Sequence, residues 1–291
     1  MSFYISNRQY SANIPVDKQY VSVLLECSET DLLHRVFPKE HELSHILADT
    51  FELTNHLDGN LYYPVLPGPC ACMIFKFNRL TASGAFCGMS TSLKKILVPP
   101  KFTLFCVRFS PGTTGYLLKE NAKLLTDQGQ SLEAYFPHAS LLMDQIRSSE
   151  SFHERNIRIH HYLRMHSLAT YYTPTPILKR CLDLIYARRG NIRIGELAAE
   201  AGCSERYIGR IFHEHVGCSP KMYCEITRMQ ISLSDILMMQ PKSLLHTATA
   251  YGYFDQPHMN RAYQKLLGRT ANDMRYLDNE ACCAKDVPLI F

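Results

Sequence analysis

One stretch constrains this chain more than any other, the seventeen residues from Gly252 to Gly268. Met259, Ala262, Tyr263, Leu266 and Leu267 recur there at i, i+3, i+4, i+7 and i+8, the apolar stripe of an amphipathic helix. Gln256, Pro257, Asn260, Arg261 and Gln264 fall on the opposite face, with Lys265 at its edge. Asp255 is placed to cap the helix, and Pro257 suits its first turn. A polar helix face is most often merely solvated. It is also what reading a major groove requires, because Asn and Gln pair with adenine edges and Arg with guanine edges or phosphate. A second occurrence shifts the balance. About fifty residues earlier, Leu197 to Ser204 leads into Glu205–Phe212, with Gly202 as the turn and Ser204 as the cap. Ile208, Ile211, Phe212 and His215 form the inner stripe; Arg206, Gly209, Arg210 and His213 face out. Helix, glycine turn, cap and second helix make a helix-turn-helix unit.

These two blocks resemble the AraC/XylS family of bacterial transcription regulators, over about Pro176 to Arg275. The first supplies Leu197, Ala198, Gly202, Ser204, Tyr207, Ile208, Arg210, Phe212, Gly217, Ser219, Pro220, Tyr223 and Arg228. The second supplies Ala248, Gly252, Tyr253, Asp255, Gln256, His258, Met259, Arg261, Tyr263, Lys265, Gly268, Thr270 and Arg275. Thr247 stands where the family usually has an aliphatic residue, and Ala271 where it usually has Pro. Both are structural positions, so these departures bear on local packing.

The chain has 291 residues, enough for two domains with cores of their own. No apolar run reaches the roughly 18 residues of a membrane span. The N-terminus, Met-Ser-Phe-Tyr-Ile-Ser-Asn-Arg, has no apolar signal core, so a cytoplasmic protein is expected. Net charge is only +4. From Pro176 to Arg275, however, fourteen Lys and Arg face nine Asp and Glu, so the basic surplus sits in the last third, as phosphate contact requires.

Eleven scattered cysteines without a secretion signal argue for reduced thiols, most of them packing residues. Cys70 with Cys72, and Cys282 with Cys283, are the tight pairs from which a thiol or metal sensor could be built. His41 and His45 stand four apart, a metal-binding spacing on a helix, but no third ligand is near and two surface histidines are the better reading. No cofactor or metal site is expected.

The first sixty residues are hard to read, beyond a strand at Tyr20–Cys27. Short runs at 61–66, 71–77, 85–89, 95–98 and 102–109, broken by Pro and Gly, read as strands of a small barrel or sandwich. The resemblance implies a cupin-like effector barrel here, followed by helices that mediate dimerisation. The His-x-His metal pattern of catalytic cupins is absent. Helices are read at Thr114–Asp127 (Tyr116, Leu117, Leu124 and Leu125 as core), Leu132–Ile146 and Ser151–His166 (Ile157, Ile159, Tyr162 and Leu163 as packing positions). Ser167–Pro176, with two prolines in its last three residues, reads as a linker. Pro176 opens a helix with Ile177, Leu178, Cys181, Leu184 and Ile185 inward, stopped by Gly190. Ser219–Met238 reads as one helix of about 30 Å. Adjacent major grooves on one face of DNA are about 34 Å apart, so this connector suits two recognition helices in successive grooves.

The expected architecture is α+β. An N-terminal cupin-like β-barrel with helices (1–166, sensing and dimerisation) precedes a linker (167–176). An all-α DNA-binding domain of two helix-turn-helix units joined by a long helix follows (177–276), then a tail (277–291). In the first unit Arg206, near the helix N-terminus, is the better base reader. Arg210 could bind phosphate or brace the fold. Gly209 permits close approach or is tolerated drift, and His213 completes the face. In the second unit the DNA residues are Gln256, Pro257, Asn260 and Arg261, with Gln264 and Lys265 toward the backbone. The expected partners are double-stranded DNA, a small effector whose pocket the sequence does not name, a second copy of the chain, and RNA polymerase as a further candidate. An enzyme with a DNA-binding half is disfavoured: a four-cysteine zinc cluster, a Pro-Cys-His nucleophile, a P-loop and a Gly-x-Ser-x-Gly elbow are all missing. A ligand-independent regulator, or a thiol- or metal-sensing one, is the alternative.

Overall fold

A computed structural model describes residues 3–4, 26–27, 32–37, 41–166, 175–239, 243–276 and 288–290. Most of the strand read at 20–27, residues 167–174 of the linker and nearly all of the tail, with Cys282 and Cys283, lie outside the described residues. The strands are β1 (Phe3–Tyr4), β2 (Glu26–Cys27), β3 (Leu32–Val36), β4 (Leu47–Thr54), β5 (Leu61–Val65), β6 (Cys72–Phe77), β7 (Ala82–Cys87), β8 (Lys94–Val98), β9 (Thr103–Phe109) and β10 (Gly129–Ser131). Six of them form one antiparallel sheet in the order β10-β7-β6-β9-β4-β3, and β5 pairs with β8 in a separate ribbon. The strand-rich expectation holds, in an arrangement compatible with a cupin-like fold. The barrel is not closed: an open sheet is faced by a ribbon.

Alternation along the strands gives the sheet two apolar faces. Ile74, Leu104 and Cys106 pack with Leu61, Tyr63, Ile96 and Val98 of the ribbon. Met73, Phe75, Phe105 and Val107 pack beneath two helices, α2 (Ala139–Ser148) and α3 (Phe152–Met165), through Leu142, Ile146, Ile159 and Leu163. A buried polar seam also fixes α3. The Arg155 guanidinium donates to both Glu52 oxygens (2.6 and 2.9 Å), and the Thr50 hydroxyl donates to Asn156 Oδ1 (2.7 Å).

The helix expected over Thr114–Asp127 is two pieces, α1 (Thr114–Leu118) and a 3-10 turn at Ala122–Leu125. Lys119, at φ 55°, ends the first piece in the left-handed region. Leu117 and Leu125 are buried as expected, but Leu124 is 69% exposed. The helix expected from Leu132 opens as a 3-10 turn, and α2 starts only at Ala139, because Pro137 and a left-handed His138 interrupt it. Ile157 on α3 is 51% exposed, unlike its buried neighbours Ile159, Tyr162 and Leu163. His41 lies in a turn, not on a helix, so the i, i+4 metal geometry with His45 does not form. The His41 ring packs on Phe37 and His160 instead.

The remaining helices are α4 (Pro176–Ala187), α5 (Ile194–Ala201), α6 (Glu205–His215), α7 (Pro220–Met239), α8 (Leu244–Ala250) and α9 (Gln256–Leu267). Leu178, Cys181 and Ile185 of α4 are buried as read, while Ile177 and Leu184 are half-buried at its margin. Strand-domain residues join this helical core: Leu66, Met89 and Leu93 pack in the same cluster as Leu178, Met229 and Leu266. Leu93 N–H donates to the Leu266 carbonyl (2.9 Å), Gln230 Nε2 to the Pro67 carbonyl (2.8 Å), and the Thr126 hydroxyl to the Gly217 carbonyl (2.6 Å). The Tyr116 ring stacks on His215 at the end of α6 (4.1 Å between centroids, 9° between planes). Gly115 has to be glycine here, since a Cβ would run into the Glu214 carbonyl. The strand domain therefore grips α6, α7 and α9 together. Among the described residues, no helix is long and apolar enough to cross a membrane.

Candidate nucleic-acid interface

Local chemistry builds each helix pair. In the first, the Glu196 carboxylate accepts from Arg193 N–H at the start of α5 (3.3 Å). Gly202 (φ 69°) ends α5, letting Cys203 N–H return to the Ala198 carbonyl (3.1 Å). Ser204 Oγ then accepts from Tyr207 N–H (3.2 Å), and α6 begins. In the second, Gly252 (φ 71°) turns the chain, Tyr253 N–H returns to the Ala248 carbonyl (2.9 Å), and Asp255 accepts from His258 N–H (2.6 Å). The inner stripes are buried as read: Ile208, Ile211 and Phe212 on α6, and Met259, Tyr263, Leu266 and Leu267 on α9. His215 is half-buried, its imidazole pKa lowered by burial.

The outward residues differ in their freedom. Arg206, Arg210, Pro257, Arg261, Gln264 and Lys265 are exposed; Gly209, His213, Gln256 and Asn260 are half-buried. Arg206 stands open at the first turn of α6. Arg210 lies over the Tyr207 ring (5.1 Å) and 3.5 Å from Glu214. His213 Nδ1 is 2.8 Å from the Gly209 carbonyl, which ties the ring to its own helix. A Cβ on Gly209 would meet nothing, so no packing demand explains that glycine. On α9, Lys265 pairs with Glu225 of α7 (2.6 Å), and Asn260 Oδ1 accepts from Ala271 N–H (3.3 Å). That last bond gives the Ala271 departure a physical meaning, because a proline there would have no N–H to offer. The other departure, Thr247, is buried on α8.

The connector α7 has 20 residues, a length of about 30 Å. Its Arg228 ties both units: the guanidinium donates to the Gly190 carbonyl (2.8 Å) before α5 and to the Gly252 carbonyl (3.3 Å) before α9. Between the units lies a cleft of about 510 Å³ whose charged lining is Arg193, Lys221, Arg228, Arg261 and Lys265 against Glu225 alone. Helical periodicity did not single out Arg193 and Lys221, which lie outside both recognition helices. Phe254 was also missed. It is 90% exposed beside the Asp255 cap, with its N–H donating to His258 Nδ1 (3.2 Å). A Phe directly before the Asp255 cap and outside the apolar stripe is the sequence signal that marks it.

A family profile and one curated relative agree with this geometry. Residues 197–276 match the profile of a family described as "Helix-turn-helix domain", and residues 34–131 that of a domain of unknown function, DUF6597. The chain is 31% identical over 75 residues to the "Uncharacterized HTH-type transcriptional regulator YidL" of Escherichia coli (strain K12). That match covers 26% of this chain and about a quarter (25%) of the relative. Among solved structures, ToxT from Vibrio cholerae O395 is similar with TM-score 0.35 and 11% identity, covering 85% of this chain and 97% of that one. The unsaturated fatty acid bound ToxT of Vibrio cholerae strain SCE256 gives TM-score 0.36 and 10% identity, covering 85% and 95%. Two capped helix pairs, one connector and the matched profile together make residues 197–276 a helix-turn-helix domain.

Proposed function

We propose that the chain is a transcription regulator that binds double-stranded DNA sequence-specifically, with α6 and α9 in successive major grooves. The observation that carries this reading is the pair of outward polar helix faces held by one 20-residue helix, with Arg228 bonded to the Gly190 carbonyl ahead of the first unit and to the Gly252 carbonyl in the turn of the second. Arg206, Gly209, Arg210 and His213 form the first contact face. Gln256, Pro257, Asn260 and Arg261 form the second, with Gln264 and Lys265 toward the phosphates. Its natural setting is the cytoplasm, with RNA polymerase as a partner.

We assign residues 1–166 to sensing and dimerisation, 167–176 to the linker, 177–276 to DNA binding and 277–291 to the tail. A small effector acts on the first of these. Support comes from the contacts of the strand domain with α6, α7 and α9, through which a change in the sheet can reach both units. Exposed Leu141 on α2, with Ile157 and Met165 on α3, suits a second copy of the chain.

The test is selection of genomic fragments on the purified full-length protein, followed by footprinting. Two short protected boxes about one helical turn apart, ~10 base pairs, are expected. Binding that is salt-sensitive but indifferent to sequence would remove the reading. A shift in thermal stability on adding a small molecule separates an effector-controlled regulator from one whose first domain only dimerises.

A further inference from the structure

Three cysteines from adjacent strands share one face of the six-stranded sheet. Cys72 on β6 stands directly opposite Cys87 on β7 and directly opposite Arg108 on β9. Cys106 pairs with Ile74, two residues along, so it sits diagonal to Cys72 on the same face. Cys87 and Cys106 are buried, whereas Cys72 is partly exposed. Beside it is a cavity of about 70 Å³ lined by Cys70, Cys72, Cys106, Arg108, Tyr63 and, from α7, Gln230. That space admits a few molecules the size of water. A peroxide, little larger than water, fits there.

The electrostatics of the trio are unequal. Hydrogen bonds from the Cys106 and Cys87 thiols hold the Cys72 thiol well below its ordinary range, and Arg108 adds to them against opposing burial. Burial pushes Cys106 up, and Cys87 rises through its bond to Cys72 and its own burial. The shifts favour the thiolate at Cys72 over its two neighbours, and the thiolate is the nucleophile of cysteine chemistry. Arg108 is itself held in place by the buried Asp49 carboxylate (2.6 and 2.8 Å). Burial alone would raise that carboxyl, but Arg108 and His34 outweigh it and keep it ionised.

We propose that Cys72 is a peroxide-reactive site and that Cys87 closes its oxidised form into a cross-strand disulfide. The Cys72 thiolate attacks one peroxide oxygen and the O–O bond breaks. The sulfur becomes a sulfenic acid, and the departing hydroxide takes up a proton to leave as water. Cys87 sulfur then attacks Cys72 sulfur. The S–S bond forms, the S–O bond breaks, and hydroxide leaves with the Cys87 proton as a second water. Two thiols are oxidised and one peroxide is reduced to two waters. Directly opposed residues place their Cβ atoms about 4.5–5.5 Å apart, and a disulfide needs about 3.5–4.5 Å, so a small local adjustment of the strands suffices. The cavity wall is shared with α7, where Gln230 Nε2 donates to the Pro67 carbonyl (2.8 Å). Oxidation therefore acts at a contact between the sheet and the DNA-binding connector. Only this coupling rests on the proposed function; the thiol chemistry does not.

The test uses the full-length reduced protein. Iodoacetamide labelling followed by peptide mass analysis should modify Cys72 about tenfold faster at pH 7 than Cys203, another partly exposed thiol. Hydrogen peroxide should then join the Cys72 and Cys87 peptides in one disulfide. In Cys87→Ser the resolving thiol is gone, and dimedone should capture the sulfenic acid on Cys72. Equal labelling of Cys72 and Cys203 would overturn the proposal. So would peroxide treatment that leaves Cys72 and Cys87 as thiols or joins other cysteines first. The labelling and disulfide readouts need no variant to fold and no DNA. A peroxide-induced change in DNA affinity that disappears in Cys72→Ser supports the coupling. Disulfide formation with unchanged affinity would sink the coupling while leaving the site in place.

Discussion

The two recognition helices are built alike and equipped differently. Both begin at an acceptor side chain that caps the N-terminus, after a glycine turn, and both bury one apolar stripe. On α6 the arginine of the first turn stands open, and the mid-helix Gly209 leaves a gap in the outward face. On α9, Asn260 and Lys265 are held from outside the helix, by Ala271 N–H and by Glu225 of α7, whereas the ties on α6, Arg210 to Tyr207 and Glu214 and His213 to the Gly209 carbonyl, stay within that helix. Similar folds thus present one face whose ties lie within its own helix and one with two side chains held by neighbouring elements. A side chain already held by a neighbouring element loses little entropy on binding, and an open one such as Arg206 has more to lose.

The largest test of this comparison is Arg228→Ala. Its guanidinium bonds two carbonyls from different units, and hydrogen bonds to charged groups are worth about 1.5–3 kcal/mol each. A stability loss of about 2–4 kcal/mol is expected from the urea midpoint. Footprinting of the variant should show the fixed spacing between boxes relaxed. Unchanged stability and spacing would mean that packing alone holds the two units. Next is Arg206→Ala, which should weaken the true site by about 1–3 kcal/mol relative to random DNA. Equal losses on both DNAs would make Arg206 a phosphate contact and erase the asymmetry between the helices.

Much of that asymmetry was not legible in the sequence. Periodicity and caps located α6, α9 and the connector, because the 3.6-residue stripe and the residues Gly202, Ser204, Gly252 and Asp255 act locally. Which outward side chains are tied down depends on distant partners. Lys265 meets Glu225 forty residues away, and no local pattern signals that. β4 escaped notice for a related reason. Its Asp49, Thr50 and Glu52 look like solvent-facing polar residues, yet all are buried against Arg108, Asn156 and Arg155. Leu66, Met89 and Leu93 read as ordinary apolar residues of the strand region, and only the fold shows them packed in the core of the other domain. The broken helices at Lys119 and Pro137 differ in kind. Pro137 was a visible breaker, whereas the left-handed Lys119 carries no such mark.

Asn260→Ala and Lys265→Ala probe the two α9 side chains held by neighbouring elements, at lower cost. Asn260→Ala removes the acceptor for Ala271 N–H and should destabilise the fold by about 1 kcal/mol, read from thermal unfolding. Its effect on DNA affinity should stay below that of Arg206→Ala; a larger one would show the side chain leaving Ala271 to read a base. Lys265→Ala should weaken true and random sites alike and reduce the slope of affinity against salt by at most about one. An unchanged slope would leave Lys265 as Glu225's partner alone.

Gly209→Ala is the smallest and most discriminating change. In the free protein a methyl group there meets nothing, and Ala is favoured over Gly inside a helix by about 0.8–1 kcal/mol. The variant should therefore unfold at a higher urea concentration than the wild type. If the bare helix surface at 209 admits DNA backbone or a base edge, the same methyl must push it away, and affinity should fall while stability rises. That opposition separates a functional glycine from a tolerated one, since a tolerated glycine gives added stability with unchanged binding. Such a result would leave Arg206 as the open residue of the α6 face on which the comparison rests.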